Sequence, residues 1–209
     1  MLMGYLTNPR EIELRSMSII EELLPEILDR PPGEREIIKR VVHTTGDTAV
    51  AGLVLFHDGA VESGLKAIRE GKPIATDINM LKAGINQRRL DYFSIRAFCY
   101  MRDPGIVALA ERDGITRAMA AMRKAAVEAD GGIIAVGNAP TALFALCELI
   151  QDGRVSPSLV VGTPVGFVGA RESKEMLMDS GVPYITVKGT RGGSAIAAAV
   201  INALLYLSR

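Results

Sequence analysis

Gly132-Ile133-Ile134-Ala135-Val136-Gly137-Asn138-Ala139-Pro140-Thr141-Ala142-Leu143-Phe144 decides the fold. Its apolar run does not alternate with polar residues, so it reads as a short strand buried on both faces. Gly137 closes the strand, and Pro140 suits the first turn of a following helix. The same order returns twice. Leu159 to Val161 leads into Gly162-Thr163-Pro164-Val165-Gly166-Phe167, and Tyr184 to Val187 leads into Lys188-Gly189-Thr190-Arg191-Gly192-Gly193-Ser194. Strands that alternate with helices need crossover connections, which are right-handed and give a largely parallel sheet covered on both faces.

Outward from these units, the spacing predicts helices at Pro9 to Leu28, Arg35 to Thr44, Ala60 to Glu70, Pro104 to Ala129 and Ser194 to Leu207, the fourth broken near Gly114. Asn8 can cap the first, with Pro9 in its first turn and Glu11 completing a capping-box-like pattern. Strand-like runs cover Ala49 to Phe56, Pro73 to Thr76 and Tyr92 to Tyr100. No repeat, low-complexity tract or linker divides the chain. The expectation is a single α/β domain over residues 1–209. The last helix is so rich in Ala, Leu and Ile that its faces look hard to bury in a small monomer, which points to a dimer.

Composition narrows the function. Lys plus Arg and Asp plus Glu number 24 each, so no global field draws the chain to nucleic acid or an anionic membrane. No window approaches the roughly 18 apolar residues of a membrane span. The first residues, Met1 to Leu6, lack a basic start and a long apolar run, so a cytoplasmic protein without a signal peptide is expected. Cys99 and Cys147 sit among apolar neighbours and read as buried free thiols. CxxC, HxxxH and HExxH spacings are missing from the sequence, so no metal site is expected. GxGxxG, GxxxxGK[ST] and GxSxG are missing after the strands, against dinucleotide, P-loop and hydrolase sites.

In open α/β sheets ligands bind beyond the carboxyl ends of the strands. Four turns lie there: the three above and Thr76-Asp77-Ile78-Asn79-Met80. Their N–H groups and Thr, Asn and Arg donors suit an anion, although their glycines can equally serve only to close tight turns. His43 stands at a helix end, three residues after Arg40 on a shared face. It is one of two histidines, the side chain best suited to proton exchange near neutral pH, and equally a helix-end residue favoured by the dipole. His57, beside Asp58, reads as structural. Arg117 opens a helical stretch and can pair with a carboxylate or stand in solvent. Ser16 interrupts the apolar stripe of the first helix, where its hydroxyl can meet a ligand or its own backbone.

Arg40-Val41-Val42-His43-Thr44-Thr45-Gly46-Asp47, Gly137 to Phe144, Gly162 to Val168, Glu172-Ser173-Lys174 and Gly192-Gly193-Ser194-Ala195 closely resemble the precorrin-8X methylmutase family, in the family's order from the first helix to the last. The resemblance implies a three-layer α/β fold and a homodimer with ligand sites near the subunit interface. It implies an isomerase of cobalamin biosynthesis that moves a methyl group from C-11 to C-12 of precorrin-8X or cobalt-precorrin-8. The product would be hydrogenobyrinate or cobyrinate. It puts the catalytic histidine at His43 and substrate binding at Ser16, Arg40 and Arg117. The partner is then a corrinoid tetrapyrrole, with no redox cofactor, nucleotide or protein-bound metal required. A tetrapyrrole carrier and an α/β enzyme for a small phosphorylated substrate are the rival readings of the residues alone.

Overall fold

The computed structural model describes residues 6–208; Met1 to Tyr5, most of the stretch read for a leader, and Arg209 lie outside the described residues. Helix α1 spans Pro9–Leu23, with Asn8 Oδ1 accepting from the N–H groups of Arg10 and Glu11 at 3.0 and 3.3 Å. It stops earlier than the expected Leu28. Pro25 has no N–H and its ring collides with the preceding turn, so the chain turns at Leu24 and continues as a 3-10 segment, Pro25–Asp29. Helix α2, Pro32–Thr45, begins earlier than expected and ends on Gly46 in the left-handed conformation, φ 64°.

The run from Ala49 to Phe56 is not one strand. Asp47 accepts from Ala49 N–H and sets a 3-10 turn over Thr48–Leu53, leaving only Val54–Phe56 as β1. Such a local side-chain bond competes with strand pairing. Then follow α3 (Ala60–Arg69), β2 (Ile74–Thr76), and two helices that the sequence reading did not find, α4 (Asn79–Gly84) and α5 (Gln87–Tyr92). Asn86 Oδ1 caps α5 by accepting from Arg89 N–H, so the expected strand at Tyr92 to Tyr100 shrinks to β3, Ala97–Phe98. Helices α6 (Pro104–Asp113) and α7 (Arg117–Glu128) part at Gly114 as expected. The three deciding units appear as β4 (Ile133–Val136) with α8 (Pro140–Gln151), β5 (Leu159–Gly162) with α9 (Ala170–Met178), and β6 (Tyr184–Val187) with α10 (Ser194–Leu207).

The strands form one six-stranded sheet in the order β1-β6-β5-β4-β2-β3, antiparallel only at β1–β6. Successive residues of β4 face opposite layers. Ile133 and Ala135 join α2, α3, α4 and α10 in one core, while Ile134 and Val136 join α7, α8 and α9 in the other. This is the three-layer α/β arrangement with a largely parallel centre. Helix α10 lies inside the first layer, packed by α2, α3, α4 and the sheet, with Ile196 to Ile201 all buried. Its apolar side chains are therefore largely covered within one chain, so this helix gives no reason of its own to expect a second copy. Exposed large apolar side chains lie elsewhere, among them Ile12, Leu14, Ile19 and Leu23 on α1, and Phe167 and Val168, which are 94 % and 90 % exposed.

The strand-end turns interlock through their backbones. A β-carbon on Gly137 would stand 2.8 Å from Ser194 Cα, and one on Gly192 would stand 2.3 Å from Thr163 O, too close for any side chain. Asp77, buried at the end of β2, accepts from Gly137 N–H through Oδ1 (3.0 Å) and from Asn138 and Ala139 N–H through Oδ2 (2.8 and 2.9 Å). Burial pushes its carboxyl above the ordinary aspartate value, and those N–H donors oppose the rise. Lys174 of α9, 2 % exposed, donates to Arg191 O at 2.7 Å. Burial pushes its ammonium down to about 8.

Two outcomes are expected. Asp77→Ala leaves buried N–H groups of the β4–α8 turn without an acceptor and lowers stability by about 1–3 kcal/mol in urea unfolding. The unfolded chain holds the Lys174 proton to a higher pH than the folded one, whose value is about 8 against 10.5 for free lysine. Stability from this group therefore rises as pH climbs through that window. Lys174→Met should lack the gain between about pH 8 and 10.5 that this group gives the parent chain, whatever its midpoint at pH 7.

Candidate functional site

His43 lies in the last turn of α2, exposed, on a ridge between two clefts. On one side, α1 and α2 enclose about 250 Å³ lined by Ser16, Ile19, Leu23 and Val42 together with His43. On the other, α2 and α10 enclose about 380 Å³ lined by Arg40, Asn86, Ala195, Asn202 and Tyr206 together with His43. The helical periodicity explains the meeting. Val41 and Val42 turn into the core, which rotates Arg40 and His43 onto the adjoining face. The structure thus brings Ser16, Arg40 and His43 together.

Arg40 is half-buried and held. Its Nη2 lies 2.8 Å from Glu13 Oε1 of α1, and its guanidinium stands 5.5 Å from the centre of the Tyr206 ring. A partly exposed ion pair of this kind is worth about 0–1 kcal/mol, so a ligand carboxylate can displace it. Sequence reading missed the polar floor of this cleft. Asn202 Oδ1 accepts from Asn86 N–H at 2.8 Å, Asn202 Nδ2 donates to Gly84 O at 2.8 Å, and Asn86 Nδ2 donates to Tyr206 at 3.1 Å. The available signal was Asn202 and Tyr206, four apart in an otherwise apolar helix and therefore on one face.

Arg117 is not brought to His43. It opens α7 in the opposite layer, exposed, next to Thr116, whose Oγ1 accepts from Met119 N–H and donates to Thr141 Oγ1 at 3.0 Å. His57 fits its structural reading. Its Nδ1 lies 2.7 Å from Asp58 O, and its ring meets Tyr184 edge-on at 5.5 Å. Cys99 and Cys147 are free, and burial pushes the Cys147 thiol up to about 12.

The strand-end turns offer anions less backbone than expected. The N–H groups of Gly137, Asn138 and Ala139 are engaged by Asp77, that of Gly193 by Thr163 O at 2.8 Å, and that of Gly166 by Thr190 O at 3.1 Å. Among the described residues no cluster of three or more His, Cys, Asp or Glu gathers as a metal-holding set, and no helix is long and apolar enough to cross a membrane. The geometry is that of one titratable side chain flanked by two open clefts, with an exchangeable arginine and a hydroxyl on its rims. It suits proton transfer to a broad ligand better than phosphate binding at a glycine turn.

Comparison with known proteins identifies the family. The family model described as precorrin-8X methylmutase matches residues 11–207. A cobalt-precorrin-8 methylmutase of Salmonella typhimurium is 44 % identical over 209 residues, covering 98 % of this chain and 98 % of its own. One from Priestia megaterium is 42 % identical, covering 96 % of this chain and 89 % of its own. A precorrin-8X methylmutase of Pseudomonas aeruginosa is 42 % identical, covering 83 % and 84 %. The solved structure of precorrin-8x methyl mutase from Thermus thermophilus superposes with a TM-score of 0.84 at 39 % identity, covering 94 % of this chain and 96 % of that one. A family model reaching from α1 to α10, joined to a shared fold, leaves one assignment: the chain belongs to the precorrin-8X methylmutase family, isomerases that carry out the methyl shift of cobalamin biosynthesis.

Proposed function

We propose that the ridge carrying His43 is the catalytic centre of this isomerase, and that residues 1–209 act as a single methylmutase domain in the cytoplasm. The observation that carries the reading is the convergence of Ser16, Arg40 and His43 on adjoining clefts. The substrate is a corrinoid tetrapyrrole, precorrin-8X or cobalt-precorrin-8, a broad apolar ring edged with carboxylates. The apolar wall of Ile19, Leu23 and Val42 suits the ring, and the polar wall of Asn86, Asn202 and Arg40 suits its edge. Arg40 exchanges Glu13 for a ring carboxylate, and Ser16 offers its hydroxyl across the α1 cleft.

The reaction is an internal rearrangement. The bond from the methyl group to C-11 breaks and one to C-12 forms, with no atom gained or lost. His43 donates a proton to the conjugated ring, which draws electron density away from the acceptor carbon's neighbourhood and eases the shift, and it recovers the proton when the product's conjugation is set. Because Arg117 stands in the other layer, its contact with the ring is assigned to a neighbouring copy in a homodimer. The exposed apolar residues on α1 and at Phe167 and Val168 offer apolar surface to such an assembly.

His43→Asn keeps much of the shape but cannot titrate. It should fold and bind the pigment, with turnover reduced by roughly 10²–10⁴ in a spectral assay, the common span for losing a general acid. Turnover at the parent rate would remove His43 from the proton-transfer role. Arg117→Ala should weaken product binding by about 1–3 kcal/mol. Sedimentation should give a species of twice the 22.4 kDa of one chain. Mixing His43→Asn with Arg117→Ala should restore part of the activity, because each mixed dimer then holds one intact site; no recovery after subunit exchange would place Arg117 outside a shared site.

A further inference from the structure

Beside the His43 ridge a polar chain crosses the strand ends from one helical layer to the other. Lys174 of α9 donates to Arg191 O at 2.7 Å, Arg191 Nη1 donates to Asp47 Oδ2 at 2.7 Å, and Asp47 Oδ1 accepts from Ala49 N–H at 2.9 Å. The backbone of Arg191 is fixed. Thr190 O accepts from Gly166 N–H, Gly193 N–H donates to Thr163 O, and Gly192 has no room for a β-carbon. Its guanidinium is not fixed in the same way: the Arg191 and Asp47 side chains are 52 % and 44 % exposed.

Arg191 and Asp47 line a third cleft, about 190 Å³, together with Thr45, Val165, Gly192 and Ile196. Thr45 follows His43 by two residues on the same helix end. Ile196 follows Ala195, which lines the His43 cleft. The third cleft therefore neighbours the proposed slot on the side of the glycine turns. An exposed ion pair competes weakly for its arginine, whereas a ring carboxylate can engage the guanidinium fork with two bonds.

We propose that Arg191 is a carboxylate-binding residue of the corrinoid slot, presented by the Lys174-propped turn and exchanging Asp47 for a ring carboxylate when the substrate enters. The inference rests on the reading that the slot around His43 takes the ring. Arg191 touches substrate; Lys174 acts through it as a positioning residue. Asp47 keeps its bond to Ala49 N–H through the exchange, so the 3-10 turn that follows α2 stays in place.

The test is an absorbance titration with hydrogenobyrinic acid and with the same ring converted to its amides. Arg191→Ala should weaken binding of the acid by roughly 10- to 100-fold, the span of a lost hydrogen bond to a charged group. It should bind the amide as the parent chain does. In turnover, KM should rise while kcat at saturation stays within a few-fold. Arg191→Lys should recover only part of the loss, because lysine is a point charge without the fork. Asp47→Asn, which can still cap Ala49, should bind the acid up to a few-fold more tightly. Equal losses for acid and amide would overturn the proposal in favour of a structural role. Arg40→Ala serves as the control for the slot itself. A loss of acid binding there with none in Arg191→Ala would overturn only the Arg191 assignment; a loss in neither would overturn the slot as well.

Discussion

Backbone meets backbone at the carboxyl edge of this sheet, with no space for side chains between. Gly137 lies against the start of α10, and Gly192 lies against the carbonyls of Thr163 and Pro164. Close approach of this kind is available only to glycine. It fixes the β4–α8, β5–α9 and β6–α10 turns relative to one another, and so fixes where α10 begins. Helix α10 in turn supplies the wall against which α2 packs, and α2 carries His43. The position of the candidate acid is thus set by contacts two elements away, in which His43 takes no part.

The tight edge has an electrostatic consequence. Asp77 spends its carboxylate on the N–H groups of Gly137, Asn138 and Ala139, so a buried charge is balanced inside the protein instead of by a ligand. On the proposed reading, anion recognition falls to side chains at the rim, where Arg40 rests on Glu13 and Arg191 on Asp47. Each pair holds its arginine in place at small energetic cost to the exchange. A rim built this way is oriented in advance yet stays open to replacement, which fits a ligand with several carboxylates around a rigid ring.

The legible parts of the fold were those decided by local burial. Strands β4 and β5 are apolar without alternation because both faces are covered, and α10 is largely apolar for the same reason, so its limits of Ser194 and Leu207 could be read directly. The parts that resisted were decided by single capping side chains. Asp47 turned an apolar run into a 3-10 segment, and Asn86 opened a helix where a strand was expected. In the site, His43 and Arg40 were legible because three residues bring them onto one face of a helix. Asn86, Asn202 and Tyr206 were not, since their cleft forms only when α2 and α10 meet. The argument from α10 to a second copy lost its ground for a related reason: the pattern shows that a helix is mostly apolar, but not that its own chain can wrap it.

Helix α1 is lightly anchored for its length. Ile20 is its one buried residue, its main packing partner is α2, and its continuation breaks at Leu24 before Pro25. Opening it exposes little apolar surface, so the free energy of that local opening lies well below that of global unfolding. Its amide protons should accordingly exchange with solvent faster than those of α10. On the proposed reading of the site, a wall of the Ser16 cleft that lifts while the sheet and α10 stay folded would give a wide, flat molecule a lateral route in that a rigid cavity of the same dimensions would deny it.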